Sequence, residues 1–414
     1  MSEFINNVSQ RKEKIKTAIK RIHDGEPYEE VKEAFAKVLR EATPEEIAEI
    51  EQALIHEGLP VEDIQYLCDV HVAMFRESLD DQAPPEMMPG HPVYTYRAEN
   101  ELAQIVLNDA RETLRKLGEN PSDDLTGKMR DSIMKLKAIE AHYLRKENIL
   151  FSYLEKTGFT GPSSVMWGIH DDIRKGWKSM LKLLEEGLPG GAIKQLREIF
   201  TETENAMREM IYKEERILFP TALQKLGEED WLAMHAQEAD IGFSYVTRGS
   251  EWPGKTEPDV SVDKNDKNKE RQKTTMEETT MQFPLETGDL TIAQINLMLT
   301  HLPVDITYVD ENDEVRFFSN TPERIFQRTA AIIGRKVQNC HPPQSMDKVQ
   351  EILDDFKAGK RDRAEFWIQM NGMFIHIEYF ALRGANGEYK GTLEVSQDLT
   401  HLRELEGEKR LLDG

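Results

Sequence analysis

The stretch Glu140-Ala-His142-Tyr-Leu-Arg-Lys-Glu147-Asn-Ile-Leu-Phe151 sets an imidazole and a carboxylate five residues apart, and Ile139, Tyr143, Leu150 and Leu154 recur around them at helical spacing. On a helix His142 and Glu147 are expected in one sector, about a turn and a half apart along the axis. Such a pair can hold a metal ion. At the edge of an apolar core a carboxylate is costly unless it is paired or metal-bound.

The same phrase recurs later in the chain. Glu215 stands in the place of Glu147, and Ile217-Leu218-Phe219 in the place of Ile149-Leu150-Phe151. Each copy is followed by a glycine-containing break, at Gly158 and Gly227, so the repeat predicts two helical hairpins packed as an antiparallel bundle. Helices are expected at about 92–117, 123–157, 163–187 and 191–226, separated by Gly118-Glu-Asn-Pro121, by 158–162 and by Gly187-Leu-Pro-Gly-Gly191.

With these elements in place, residues 88–230 resemble the hemerythrin-like cation-binding family, a four-helix bundle around a di-iron centre. The matches are His91 on the first helix, His142 with Glu147 on the second, His170 on the third and Glu215 on the fourth. The resemblance implies non-haem iron, one or two ions, with zinc or manganese also suited to such hard ligands. Two positions depart from it: Met166 and Met210 stand where the family carries histidines of one iron. The resemblance then leaves His91, His142 and the bridging Glu147 and Glu215 on one ion, and His170 with the bridges on the other. Glu204, about three turns before Glu215, is a candidate replacement ligand.

On either side of the bundle the pattern changes. Residues 1–80 read as a separate helical domain, with Thr43-Pro44-Glu45-Glu46 starting a helix and Gly58 ending it. Cys68 and His71 share an apolar face with Ile64 and Leu67, either as core residues or as a Cys-x-x-His half-site for metal or haem. Glu57-Gly58-Leu-Pro60 and the run from Ile64 to His71 resemble the N-terminal domain of unassigned function found with such bundles. The bundle domain is expected over 85–248. The charged run from Ser250 to Gln282 predicts an extended linker within 249–285.

An α+β domain is expected over 286–405. A helix near Thr291–Thr300 leads into strands Ile306–Val309 and Val315–Phe318, then Glu365–Met370, Met373–Leu382 and Tyr389–Gln397, the last three joined by Asn371-Gly372 and Asn386-Gly387 turns. This order of a five-stranded antiparallel sheet, with Leu302-Pro303-Val304, Ile333-Gly334-Arg335 and Cys340-His341-Pro342-Pro343, resembles a PAS sensor domain. The resemblance implies a haem, a flavin, a small metabolite or nothing in the concavity. His341 and His376 are the candidate haem ligands. Asn339-Cys340 lies near the position of a photoactive cysteine, but the two following prolines break that match, and no photochemistry is expected.

The whole is a multidomain chain of 414 residues with a net charge of -23, which argues against nucleic acid or an anionic membrane as partner. No apolar run reaches membrane-spanning length, and Cys68 and Cys340 are too distant to suggest disulfide chemistry, so a cytoplasmic protein is expected. The expected function is a sensor of oxygen, nitric oxide, redox state or iron through the metal centre, with the PAS domain transmitting the signal to a protein partner or forming a homodimer. The alternative is an enzyme-like di-iron protein for iron-sulfur repair or for removal of peroxide or nitric oxide.

Overall fold

The computed structural model describes residues 13–21, short stretches between 25 and 57, 88–188, 191–252, 282–321 and 324–408. They form a helical unit and a C-terminal α+β unit. At the N-terminus residues 13–21 are helical and bury Ile15, Ala18 and Ile19 on one face. Cys68, His71 and the helix start expected at Thr43 lie outside the described residues.

The bundle has four arms. The first is α1 (Pro92–Glu119), opened by proline at its first position and by His91 as N-cap. Its buried stripe of Val93, Tyr96, Ala103, Leu107, Ala110, Leu114 and Leu117 follows the helical period. The second arm was expected as one helix but is segmented into α2 (Asp123–Lys137), α3 (Glu140–Arg145), a π-helical turn over Lys146–Leu150 and α4 (Phe151–Lys156). The third is α5 (Gly161–Glu185). The fourth repeats the second: α6 (Ala192–Lys213), a π turn over Glu214–Leu218 and α7 (Phe219–Lys225).

For the second π turn a cause is at hand. Pro220 has no N–H for the α-helical ladder, and its ring crowds the carbonyl four residues back, which favours a wider turn before it. The first π turn has no proline. Neighbouring arms pack in a closed ring, α1 on α2, α2 on α5, α5 on α6 and α6 on α1. A further helix, α8 (Glu228–Ile241), packs against α1 and α3 and was not expected from the pattern.

The C-terminal unit begins with a hairpin of β1 (Gln282–Leu285) and β2 (Gly288–Thr291), the first strand inside the stretch expected to be linker. Thr291 then caps α9 (Ile292–His301) in a reciprocal bond pair with Gln294. The main sheet has the antiparallel order β4-β3-β7-β6-β5, with β3 (Asp305–Asp310), β4 (Val315–Phe318), β5 (Arg363–Met370), β6 (Met373–Arg383) and β7 (Tyr389–Asp398). Asn371 and Gly372 both have positive φ, as the two-residue turn between β5 and β6 requires. Between β4 and β5 runs α10 (Pro343–Lys357), whose Ile352 and Phe356 pack with Ala364 of β5. Val309, Val315, Ile332 and Cys340 form a second apolar cluster.

Candidate functional site

The two π turns bring their first residues together. Lys146 and Glu214 occupy equivalent positions of the repeat, both fully buried, and their side chains form an ion pair at the centre of the bundle. Around this pair a chain of polar groups runs through the core. His142 Nδ1 lies 2.8 Å from Glu99 of α1, and its Nε2 lies 2.9 Å from Glu214. Both ring nitrogens are thus within hydrogen-bond distance of carboxylate oxygens. Asn100 donates to Glu214 at 2.9 Å.

Lys146 Nζ also donates to His170 Nε2 at 3.0 Å. The His170 lone pair on Nε2 is thereby used, and Nδ1–H donates to Glu147 at 2.7 Å. Arg174, one turn on along α5, clamps Glu147 with two bonds of 3.0 Å. Arg145 binds Glu99 and the Gly242 carbonyl, the latter at 2.7 Å. The segment after α8 closes this end: Ser244 N–H donates to Glu99 at 2.6 Å, and Ser244 Oγ accepts from His142 N–H.

The electrostatics follow the partners. Burial pushes the Glu147 carboxyl up to about 7, against the pull of Arg174. Burial also acts on Glu214, but Lys146 and His142 outweigh it and hold that carboxyl down at about 2. Burial lowers His170 well below the ordinary histidine range, reinforced by Lys146 and Arg174, so its ring is neutral. Glu238 of α8 is pushed up to about 7 by burial, and its oxygens accept no hydrogen bond although Arg145 Nε lies 3.5 Å away.

Of the six residues expected as ligands, His142, Glu147 and His170 reach this cluster, but on two sides of it. Five residues on an α-helix span roughly 140° and four only about 40°, so Lys146 rather than Glu147 shares the face of His142. The π turn leaves Glu147 directed to α5. Glu214 enters the cluster, whereas the expected Glu215 is half-buried, with Arg97 and Asn100 nearby. Glu204 is held between Arg111 and Arg208 at 2.6 and 2.8 Å. His91 caps α1 two turns before Glu99, roughly 12 Å along the axis, its ring 4.7 Å from both Trp231 and Trp252. His235 is half-buried and also rests on Trp252.

Glu99, Arg145, Lys146, Arg174, Glu214 and Glu238 were not singled out from the sequence. One signal for two of them was present: the repeat that aligns Glu147 with Glu215 also aligns Lys146 with Glu214. A metal ion needs deprotonated, uncommitted donors. Here the donors of His142, Glu147, His170 and Glu214 are matched to Glu99, Asn100, Lys146, Arg174 and to one another, so this arrangement does not fit the di-iron centre of the family.

In the C-terminal unit the inward face of the sheet is polar. Asp305 and Thr307 of β3 pair with Ser396 and Glu394 of β7, all four buried. Arg324 donates to the Ser319 carbonyl and to Thr307 Oγ1, and lies 3.9 Å from Asp305. Arg328 sits 3.8 Å from Glu394, and its buried Nε has no hydrogen-bond partner. A cleft of about 400 Å³ opens beside Asp305, Ser396 and Asp398. His376 does not point into this interior: Ile375 and Ile377 on either side of it are buried, while His376 bonds Glu365 at 2.7 Å on the opposite face. Glu365, His376 and Glu378 converge there as the one group of metal-type side chains close enough to share an ion among the described residues. His341 is half-buried before α10.

The fold is a four-helix bundle of hemerythrin type followed by a PAS-type sheet. Family models agree: a hemerythrin HHE cation binding domain matches residues 91–222, a PAS domain 295–400, and a family of unknown function, DUF438, 15–81. The chain thus carries these three modules in one sequence. A crystal structure of a C-terminal domain from Streptococcus mutans shares 37% identity over 31% of this chain and 99% of its own, with a TM-score of 0.30. The PAS domain of Bordetella pertussis BvgS shares 18% over 27% and 92%, at 0.23, and a PAS domain from Colwellia psychrerythraea 15% over 27% and 98%, at 0.22. No curated protein matches the chain. Among the described residues no helix is long and apolar enough to cross a membrane.

Proposed function

We propose that this chain is a regulatory protein of the sensor type in which the PAS domain receives a small polar stimulus and the bundle presents the response to a protein partner. The observation that carries this reading is the contrast between the two interiors. In the bundle both nitrogens of His142 and of His170 are engaged by protein groups. In the PAS domain Arg328 Nε is buried without a hydrogen-bond partner, on a polar sheet face that leads to a cleft. An unsatisfied guanidinium N–H is costly to bury and is matched by a carboxylate or another small anion. Haem gains little support, since His376 lies on the other face of the sheet.

The test is thermal unfolding and amide exchange of the full chain with a panel of short mono- and dicarboxylates. The expected result is a raised midpoint with protection in β3 and β7, lost in Arg328→Met. No shift with any acid, or a shift that survives Arg328→Met, sinks this reading.

The family match favours a second reading. There a non-haem iron in the bundle, drawing on His91, His142, Glu147, His170, Glu204 and Glu215, senses oxygen, nitric oxide or iron, or removes peroxide or nitric oxide. Elemental analysis with an optical spectrum of anaerobically purified protein separates the two. Retained iron whose spectrum responds to oxygen would support the second.

A further inference from the structure

We infer that Lys146 is the built-in cation of this bundle: its ammonium stands between Glu214 and His170, where a bound metal ion would otherwise balance the buried acids, so the bundle folds without metal. The first support is the repeat. Lys146 and Glu214 open equivalent π turns and meet at the centre of the molecule. A repeat that placed acids at both positions would bring two carboxylates into contact away from water, which demands a cation or a proton between them. Here one of the two positions supplies the cation itself.

The second support is the completeness of the contacts. Lys146 is fully buried, and its Nζ is shared by Glu214, His170 and the face of the Tyr143 ring at 4.7 Å. Both nitrogens of each imidazole are already engaged by protein groups, those of His170 by Lys146 and Glu147 and those of His142 by Glu99 and Glu214. A divalent ion at these donors would have to displace an ammonium that is fully buried, and would remain close to Arg145 and Arg174. Tyr143 stacks on His170 at 4.1 Å and fixes the ring whose Nε2 accepts a hydrogen bond from Lys146.

The test uses the full chain in a His376→Ala background, which removes the surface group of Glu365, His376 and Glu378. The protein is exposed anaerobically to excess Fe²⁺, Mn²⁺ or Zn²⁺, desalted, and analysed for retained metal and thermal midpoint, with a chelator-treated control. The expected result is no retained ion and a midpoint that metal and chelator leave unchanged. Stoichiometric retention with a raised midpoint, both lost in His142→Ala and His170→Ala, would overturn the inference. In Lys146→Glu the facing acids should create a metal requirement: a lowered midpoint in chelator that any of the three ions restores, with metal retained. A Lys146→Glu protein indifferent to metal and as stable as its parent would count against the role of Lys146. Should that variant stay unfolded with every ion, Lys146→Met decides: a lowered midpoint supports the inference, and a parent-like midpoint overturns it.

Discussion

Glu214 accepts from Asn100, His142 and Lys146 with no access to water, so its removal strands three donors at once. Breaking a buried ion pair from one side leaves an uncompensated charge, which typically costs about 3–5 kcal/mol. Glu214→Leu is therefore expected to lose that order of stability in urea titrations. Glu204→Ala, whose partner Arg111 is exposed and whose partner Arg208 is half-buried at the rim, is expected to lose about 1 kcal/mol. Equal losses at the two positions would contradict the central role of Glu214. Glu238 supplies a pH test. Its folded carboxyl titrates at about 7 because burial favours the protonated form, above the ordinary glutamate value of 4.5. The folded state therefore holds a proton that the unfolded chain releases: the stabilisation is full below pH 4.5 and fades as pH rises through about 7. Urea midpoints should decline across that window in the parent, and Glu238→Gln should flatten the decline.

At the scale of elements, the repeated π turns decide which side chains meet. An extra residue in the second and fourth arms changes the phase of everything after it, so Lys146 and Glu214 face each other while Glu147 faces Arg174. The third and fourth arms approach closely at Gly176, where an added Cβ would lie 2.1 Å from Thr203 Oγ1. Gly176→Ala should push α5 from α6 and cost roughly 1–3 kcal/mol, the usual range for overpacking. Gly176→Ala with Thr203→Ala should recover most of the loss, since the obstructing hydroxyl and methyl are removed. Because His170 rides on α5, the single variant should also disturb the stacking on Tyr143, visible as increased near-ultraviolet signal change on mild heating. A double variant no more stable than Gly176→Ala would refute the packing argument.

For the whole molecule, each unit has its own core: the ring of four arms in one, and the clusters around Val309 and around Phe356 in the other. Segments 88–252 and 282–408 are expected to fold separately and cooperatively, since the burial that stabilises each lies within it. The summed circular dichroism of the two segments should reproduce their share of the full chain. A segment that unfolds without a transition would show that the units depend on one another.

The composition, the repeat and the Asx-Gly turns made the architecture legible from sequence, because hydrophobic period and turn chemistry are local properties that tertiary contacts reinforced. The helices of the bundle and the antiparallel strands β3 to β7 were readable this way. What only the tertiary structure decided is how charge is distributed in that core. The π turns are set by packing as much as by Pro220, and they exchanged Glu215 for Glu214 at the centre and sent Glu147 to Arg174. Glu99, Glu238 and Ser244 come from an early helix and from the segment after the repeat, at sequence distances that no periodic pattern links to His142. Whether a buried lysine sits beside an acid or beside solvent is a question of which faces meet, and in Lys146 that meeting placed a cation of the chain itself among the buried acids.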